Sequence, residues 1–126
     1  MKRLCVYCGS YSGNSPAYTV VARELGETIA ARGIALVYGG ARVGLMNEVA
    51  DAALAKGGKV IGVLPRFMSA RELAHESLTE LHLVDTMHQR KQLMAELANG
   101  FVALPGGFGT FEEIFEALTW SQLHLH

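Results

Sequence analysis

Three stretches of this chain are built to bring backbone amides close to a ligand. They are Gly9-Ser10, Gly39-Gly40-Ala41-Arg42-Val43-Gly44 and Pro105-Gly106-Gly107-Phe108-Gly109-Thr110, and they hold much of a glycine content of 14 in 126 residues. Without Cβ, a backbone can approach a guest closely and turn consecutive N–H groups toward an anion. Where such a loop runs into a helix, the unpaired amides and dipole of the first turn add to the preference, and the guest they suit best is a phosphate. Neither familiar phosphate fingerprint fits. Gly39 to Gly44 is followed by Leu45-Met46 rather than Lys-Ser/Thr, and Gly107-Phe108-Gly109 is followed by Thr110-Phe111-Glu112, without the third glycine of a dinucleotide fold.

The charged residues that break local rules are Arg90, Lys91 and Glu113. Arg90 and Lys91 fall near the start of a helix opened by Thr86, the end at which the dipole disfavours cations. Arg90 shares a face with Met87, Met94 and Leu97, and two readings stand. Either its stem snorkels along that face with the head in water, or the head points into a crevice shared with Glu113. Glu113 is three residues after Thr110, which is also a plain capping box. Phe111, Ile114, Phe115 and Leu118 form the stripe that binds the last helix to the core. Cys5 and Cys8 are too few for a disulfide framework or a zinc site and read as small buried thiols. His75, His82, His88, His124 and His126 are scattered, and core or solvated histidines are expected.

These residues need a scaffold, and the apolar pattern supplies one. Strands are expected at 3–8, 34–38, 59–64, 80–84 and 101–104, alternating with helices from Ser15-Pro16 to about Arg32, from Leu45 to Lys56, from Thr86 to about Asn99-Gly100 and from Thr110 onward. Gln89, three residues after Thr86, makes a second capping box. Residues 66–78 connect two strands, with room for one short helix. The expectation is one α/β domain over 1–126, a Rossmann-like doubly wound parallel sheet whose carboxyl edge carries all three glycine loops. Composition narrows the partners. Lys and Arg total 11 against 12 Asp and Glu, so neither nucleic acid nor a membrane surface is an expected partner, and no apolar run approaches the roughly 20 residues of a membrane span. A cytoplasmic location is expected.

Met87-His88-Gln89-Arg90-Lys91, followed by Pro105-Gly106-Gly107-Phe108-Gly109-Thr110-Phe111-Glu112-Glu113, resembles the paired signature of the LOG family. These are the cytokinin riboside 5′-monophosphate phosphoribohydrolases once misnamed lysine decarboxylases. Cys8-Gly9-Ser10, Leu36-Val37-Tyr38-Gly39-Gly40, Val43-Gly44-Leu45-Met46 and Thr119-Trp120-Ser121-Gln122-Leu123 are also similar to family segments. Ala41 and Asn47 depart from the pattern where the family commonly has glycine. The sequence stops at His126, where family members continue through at least one more strand and helix.

The resemblance implies hydrolysis of the N-glycosidic bond of an adenosine 5′-monophosphate, often N6-substituted, to free base and ribose 5-phosphate. It implies Arg90 and Glu113 as the catalytic pair, and Glu72, Lys91, Gly107, Phe108, Gly109, Thr110 and Thr119, with Gly39 and Gly40, as substrate-binding residues. A carboxylate near C1′ can stabilise an oxocarbenium-like transition state and orient the attacking water, and a guanidinium fork can hold it in place. No metal or other cofactor is implied, and no constellation around Lys91 suits a Schiff base. The alternative is a module of the same type that senses or carries a nucleotide without cleaving it. A homodimer with the site near the subunit interface is implied as well. The apolar strand at 101–104 belongs inside a sheet, so a chain ending at His126 is expected to pair with another copy there or to be a fragment.

Overall fold

The computed structural model describes residues 2–7, 16–42, 44–69 and 74–104. Five strands form one parallel sheet: β1 (Arg3–Tyr7), β2 (Ala35–Tyr38), β3 (Val60–Pro65), β4 (Glu80–Val84) and β5 (Gly100–Ala103). Between them run α1 (Pro16–Ala31), α2 (Gly44–Ala55), the single turn α3 (Arg66–Ser69) and α4 (Met87–Leu97). The five expected strands and the first three expected helices are present, with ends moved by one to three residues. The last expected helix lies outside the described residues, as do Ser15 and Cys8.

The strand order is β4-β3-β2-β1-β5. The chain steps outward from β1 to β4, then returns through α4 to lay β5 on the other side of β1. Strand alternation divides the core accordingly. Leu4, Val6, Leu36, Tyr38 and Val60 face α1 and α2, packing with Ala22, Ile29, Leu45, Val49 and Ala53. Cys5, Tyr7, Val37, Ile61 and Val63 face the other way, onto Met94 and Ala98 at and just beyond the end of α4. Helices on both faces bury β2 and β3 completely, which is why these strands read as unbroken apolar runs. Cys5 is buried on the α4 face, as expected of a structural cysteine.

Two junctions set the register. Asn99 Oδ1 accepts from Arg3 N at 2.9 Å, and Asn99 N donates to Arg3 O at 2.9 Å, fixing the turn after α4 against the start of β1. Tyr7 and Phe101 stack with centroids 5.9 Å apart, joining β1 to β5 near the switch in strand order. In open α/β sheets, ligands bind at such a switch, outside the carboxyl ends of the strands.

Strands β4 and β5 follow one another in sequence but stand at opposite ends of the sheet. Strand adjacency therefore does not bring the carboxyl ends of β4 and β5 together. The side chain of Arg90 covers part of that distance.

Packing of α1 on α2 requires Gly26. A Cβ there would overlap the Val49 carbonyl and approach Ala52 Cβ and Ala53 N to 3.1 Å. Gly26→Ala is expected to lower unfolding free energy by about 1–3 kcal/mol through overpacking, against the usual gain of alanine in a helix. Urea denaturation measures it, and an unchanged or raised midpoint would contradict this packing.

Candidate active site

The start of α4 is fixed by its cap. Thr86 is extended, at φ −134° and ψ 161°, and its Oγ1 accepts from Gln89 N at 3.0 Å. The Gln89 side chain reaches one residue further back than a standard capping box, where its Oε1 accepts from Asp85 N at 2.8 Å. With both ends of that turn held, Arg90 falls one turn into the helix and over the sheet, donating its own N–H to Thr86 O.

The Arg90 side chain does not snorkel. The residue is 3% exposed, and its Nε donates to Val63 O in β3 at 2.9 Å. Its Nη2 donates to Gly39 O immediately after β2, and Nη1 lies 3.9 Å from Met87 Sδ. A buried guanidinium must have acceptors, since desolvating a charge without partners costs several kcal/mol. Here two strands' carbonyls supply them, so the fork joins α4 to the carboxyl edge of β2 and β3. Lys91, the next residue, is half-buried.

The two glycines after β2 are glycines for a reason inside the protein. A Cβ on Gly39 would overlap Arg90 Nη2 and lie 3.0 Å from its Cζ. Gly40 has φ +78°, and a Cβ there would come to 3.2 Å from Leu64 Cβ and Val63 N. Both residues are buried. The sequence pointed to close approach of a ligand; the groups of the protein that approach these two positions are a guanidinium and β3. The three carbonyls of this loop all accept hydrogen bonds: Gly39 O from Arg90, Gly40 O from His75 N at 3.0 Å and Ala41 O from Tyr38 Oη at 3.3 Å. Ala41 also pairs with Ala74 in an antiparallel bridge.

One further set of contacts has no signature in the sequence. His75 is 8% exposed, and its Nδ1 accepts from Ser77 N at 3.1 Å, which leaves Nε2 as the protonated nitrogen that donates to Asp51 Oδ1 at 2.6 Å. The other Asp51 oxygen accepts from Asn47 Nδ2 at 3.0 Å. His75 is thus a satisfied core histidine, as expected, yet it sits against the glycine loop. Glu72, Gly107, Phe108, Gly109, Thr110, Glu113 and Thr119 lie outside the described residues.

The opposite end of the sheet holds a recess of about 420 Å³ lined by Lys2, Arg3 and Lys59 with Gly33, Gly57 and Gly58. It lies where α1 and α2 end, so these cations sit beside two helix C-termini, whose dipoles favour positive charge and oppose an anion. The carboxyl edge remains the candidate site. No helix among the described residues is long and apolar enough to cross a membrane.

A family model described as possible lysine decarboxylase matches residues 46–126. A cytokinin riboside 5′-monophosphate phosphoribohydrolase of Rhodococcoides fascians is 56% identical over 99% of this chain and 64% of its own length. A protein of the same name from Arabidopsis thaliana is 48% identical over 99% of this chain and 59% of its own. The chain spans less than two thirds of either relative. Among solved structures, the molybdenum cofactor carrier protein of Chlamydomonas reinhardtii superposes with a TM-score of 0.83 at 28% identity, covering 95% of this chain and 72% of that one.

If Gly39 is glycine because of Arg90, changes at the two positions must be coupled. Gly39→Ala and Arg90→Lys are each expected to cost about 1–3 kcal/mol, the first by overpacking and the second by leaving a buried carbonyl unpaired. The double variant should cost less than the sum by at least about 0.5 kcal/mol, because the slimmer lysine leaves room for the methyl group. Additive losses in chemical denaturation would contradict the contact.

Proposed function

This chain belongs to the family whose model is described as possible lysine decarboxylase, and from that membership we propose that the protein is a nucleoside 5′-monophosphate phosphoribohydrolase. The substrate is an adenosine 5′-monophosphate, plain or N6-substituted, and the products are free base and ribose 5-phosphate. The observation that carries this reading is Arg90, a buried cation with a planar fork held rigidly at the carboxyl edge of the sheet. Rigid placement is what a positively charged group needs in order to fix a carboxylate or a ribose hydroxyl in one geometry. Gly39, at the end of β2, is two strand positions from the end of β5, roughly 10 Å at ordinary strand spacing. A nucleotide can bridge that span, with its phosphate on the amides of 107–110 and its glycosidic bond near Arg90.

In this mechanism Glu113 lies beside C1′. As the C1′–N9 bond lengthens, positive charge develops on the ribose ring and the carboxylate stabilises it. Glu113 also orients the water whose oxygen bonds to C1′ and takes its proton, and the departing base takes a proton in turn, so that one water supplies both the hydroxyl on C1′ and the hydrogen on the base. Arg90 holds Glu113 or a ribose hydroxyl and offsets the repulsion between that carboxylate and the substrate phosphate. Lys91, Glu72 and Thr119 complete substrate binding, with Gly39 and Gly40 shaping the wall, and a second copy of the chain closes the site. Decarboxylation of lysine is disfavoured: the relatives at 48% and 56% identity carry the phosphoribohydrolase name.

A second reading has one observation in its favour, the superposition on a cofactor carrier. A carrier would hold its ligand unchanged. Its 28% identity weighs less than the 56% of the named hydrolase, and a pure carrier has no need for a carboxylate close to a phosphate.

Glu113→Gln is expected to retain nucleotide affinity within about tenfold and to lower kcat by ~10²–10⁴, the ordinary contribution of a positioned acid or base. Steady-state release of base from AMP and N6-isopentenyl-AMP measures it, and unchanged turnover would leave Glu113 as a helix cap only. The phosphate should also dominate recognition, so kcat/KM for adenosine is expected to fall well below that for AMP. Equal values would remove the phosphate subsite from the proposal.

A further inference from the structure

The loop after β2 is gripped from two sides. Arg90 holds Gly39 O from the α4 side of the sheet, and the segment 74–77 holds the next two residues from the other end of the loop, through His75 N to Gly40 O and the Ala41–Ala74 bridge. Its far end is anchored where Leu78 packs on the core and Thr79 N donates to Val60 O at 3.0 Å, while Glu76 and Ser77 are exposed. What ties it to α2 is the side chain of His75, buried with both ring nitrogens engaged: Nδ1 by the Ser77 amide, Nε2 by Asp51. Asp51 is in turn held by Asn47 one turn earlier on α2, and the exposed pair Arg42–Glu76 at 3.4 Å spans the same junction.

The Asn47 side chain is part of this chain of contacts. A hydrogen bond to a carboxylate is stronger than a neutral one, and at 2.6 Å the bond to Asp51 is shorter than the Arg42–Glu76 contact.

We propose that His75 is a positioning residue: its bond to Asp51 clamps 74–77 onto α2, and the clamped segment fixes the loop 39–42 that forms one wall of the nucleotide site. His75 acts through the loop and touches no substrate. Because Gly39 O is also an acceptor for Arg90, the clamp helps to set where the guanidinium rests. The catalytic consequence rests on the proposed hydrolase reading, whereas the clamp itself does not.

Two variants and two measurements separate these. Asp51 is an exposed position within α2, so Asp51→Ala removes the partner of His75 at a site where alanine suits the helix. His75→Ala removes the clamp outright, and His75→Gln retains a donor near the position of Nε2. Amide hydrogen exchange of the peptide spanning 36–46 is expected to quicken by roughly fivefold or more in Asp51→Ala and His75→Ala, and to return toward wild type in His75→Gln. With AMP as substrate, KM should rise by about tenfold in the two alanine variants while kcat falls by less than about threefold. Unchanged exchange in a folded Asp51→Ala overturns the clamp, whatever the activity. If His75→Ala does not fold, Asp51→Ala alone decides. Absence of base release in the wild type would overturn the hydrolase reading and leave the exchange result standing.

Discussion

A guanidinium inside a protein dictates its surroundings, because it arrives with five N–H groups and a charge that water no longer screens. In this chain Arg90 is 3% exposed, and β2, β3 and α4 are arranged around it. Its bonds to Val63 O and Gly39 O set how far α4 slides along the sheet, and they turn the residue after β2 so that its carbonyl faces inward. Breaking a buried charge from its partners typically costs several kcal/mol, a large fraction of a domain's net stability. The arrangement is therefore fixed before any ligand arrives, which is the condition for a cation to contribute to catalysis rather than be reorganised by it.

The rest of the carboxyl edge follows from accommodating that group. Gly39 admits the guanidinium and Gly40 takes the positive φ that lets the chain turn against Leu64. Ala41 is tied back through Tyr38 and Ala74, and the His75 segment covers the turn. The sheet order places this construction two strands from β5, on the side of the switch point where the chain has already stepped outward. One long side chain from α4 thereby ties that helix to the carboxyl ends of the neighbouring strands β2 and β3.

Much of this was legible in the sequence because the signals are local. The cap at Thr86 with Gln89, the apolar runs of β2 and β3 and the glycine after α1 each follow from short-range patterns, and the structure agrees within one or two residues. Arg90 stood out for the same reason, as a cation at the wrong end of a helix. What it does with its head was not legible, since snorkelling and burial differ only in tertiary contacts. The glycines pointed to close approach of a ligand, and the neighbours within the protein, Arg90 at Gly39 and β3 at Gly40, were not legible; His75 carried no signal, because its partners Asp51 and Ser77 are 24 and 2 residues away and only folding aligns them. The order of β4 and β5 was hidden too: sequence succession does not say on which side of β1 a returning strand is placed.

The central claim is that the edge organised by Arg90 breaks a glycosidic bond rather than merely holding a nucleotide. It is tested most directly by incubating the protein with N6-isopentenyl-AMP and quantifying free base and ribose 5-phosphate together by liquid chromatography and mass spectrometry. The account predicts that both products appear in a one-to-one ratio, over many turnovers per protein molecule, and that Arg90→Lys is severely slowed. Saturable binding of the nucleotide with no base released would contradict it and identify the protein as a carrier.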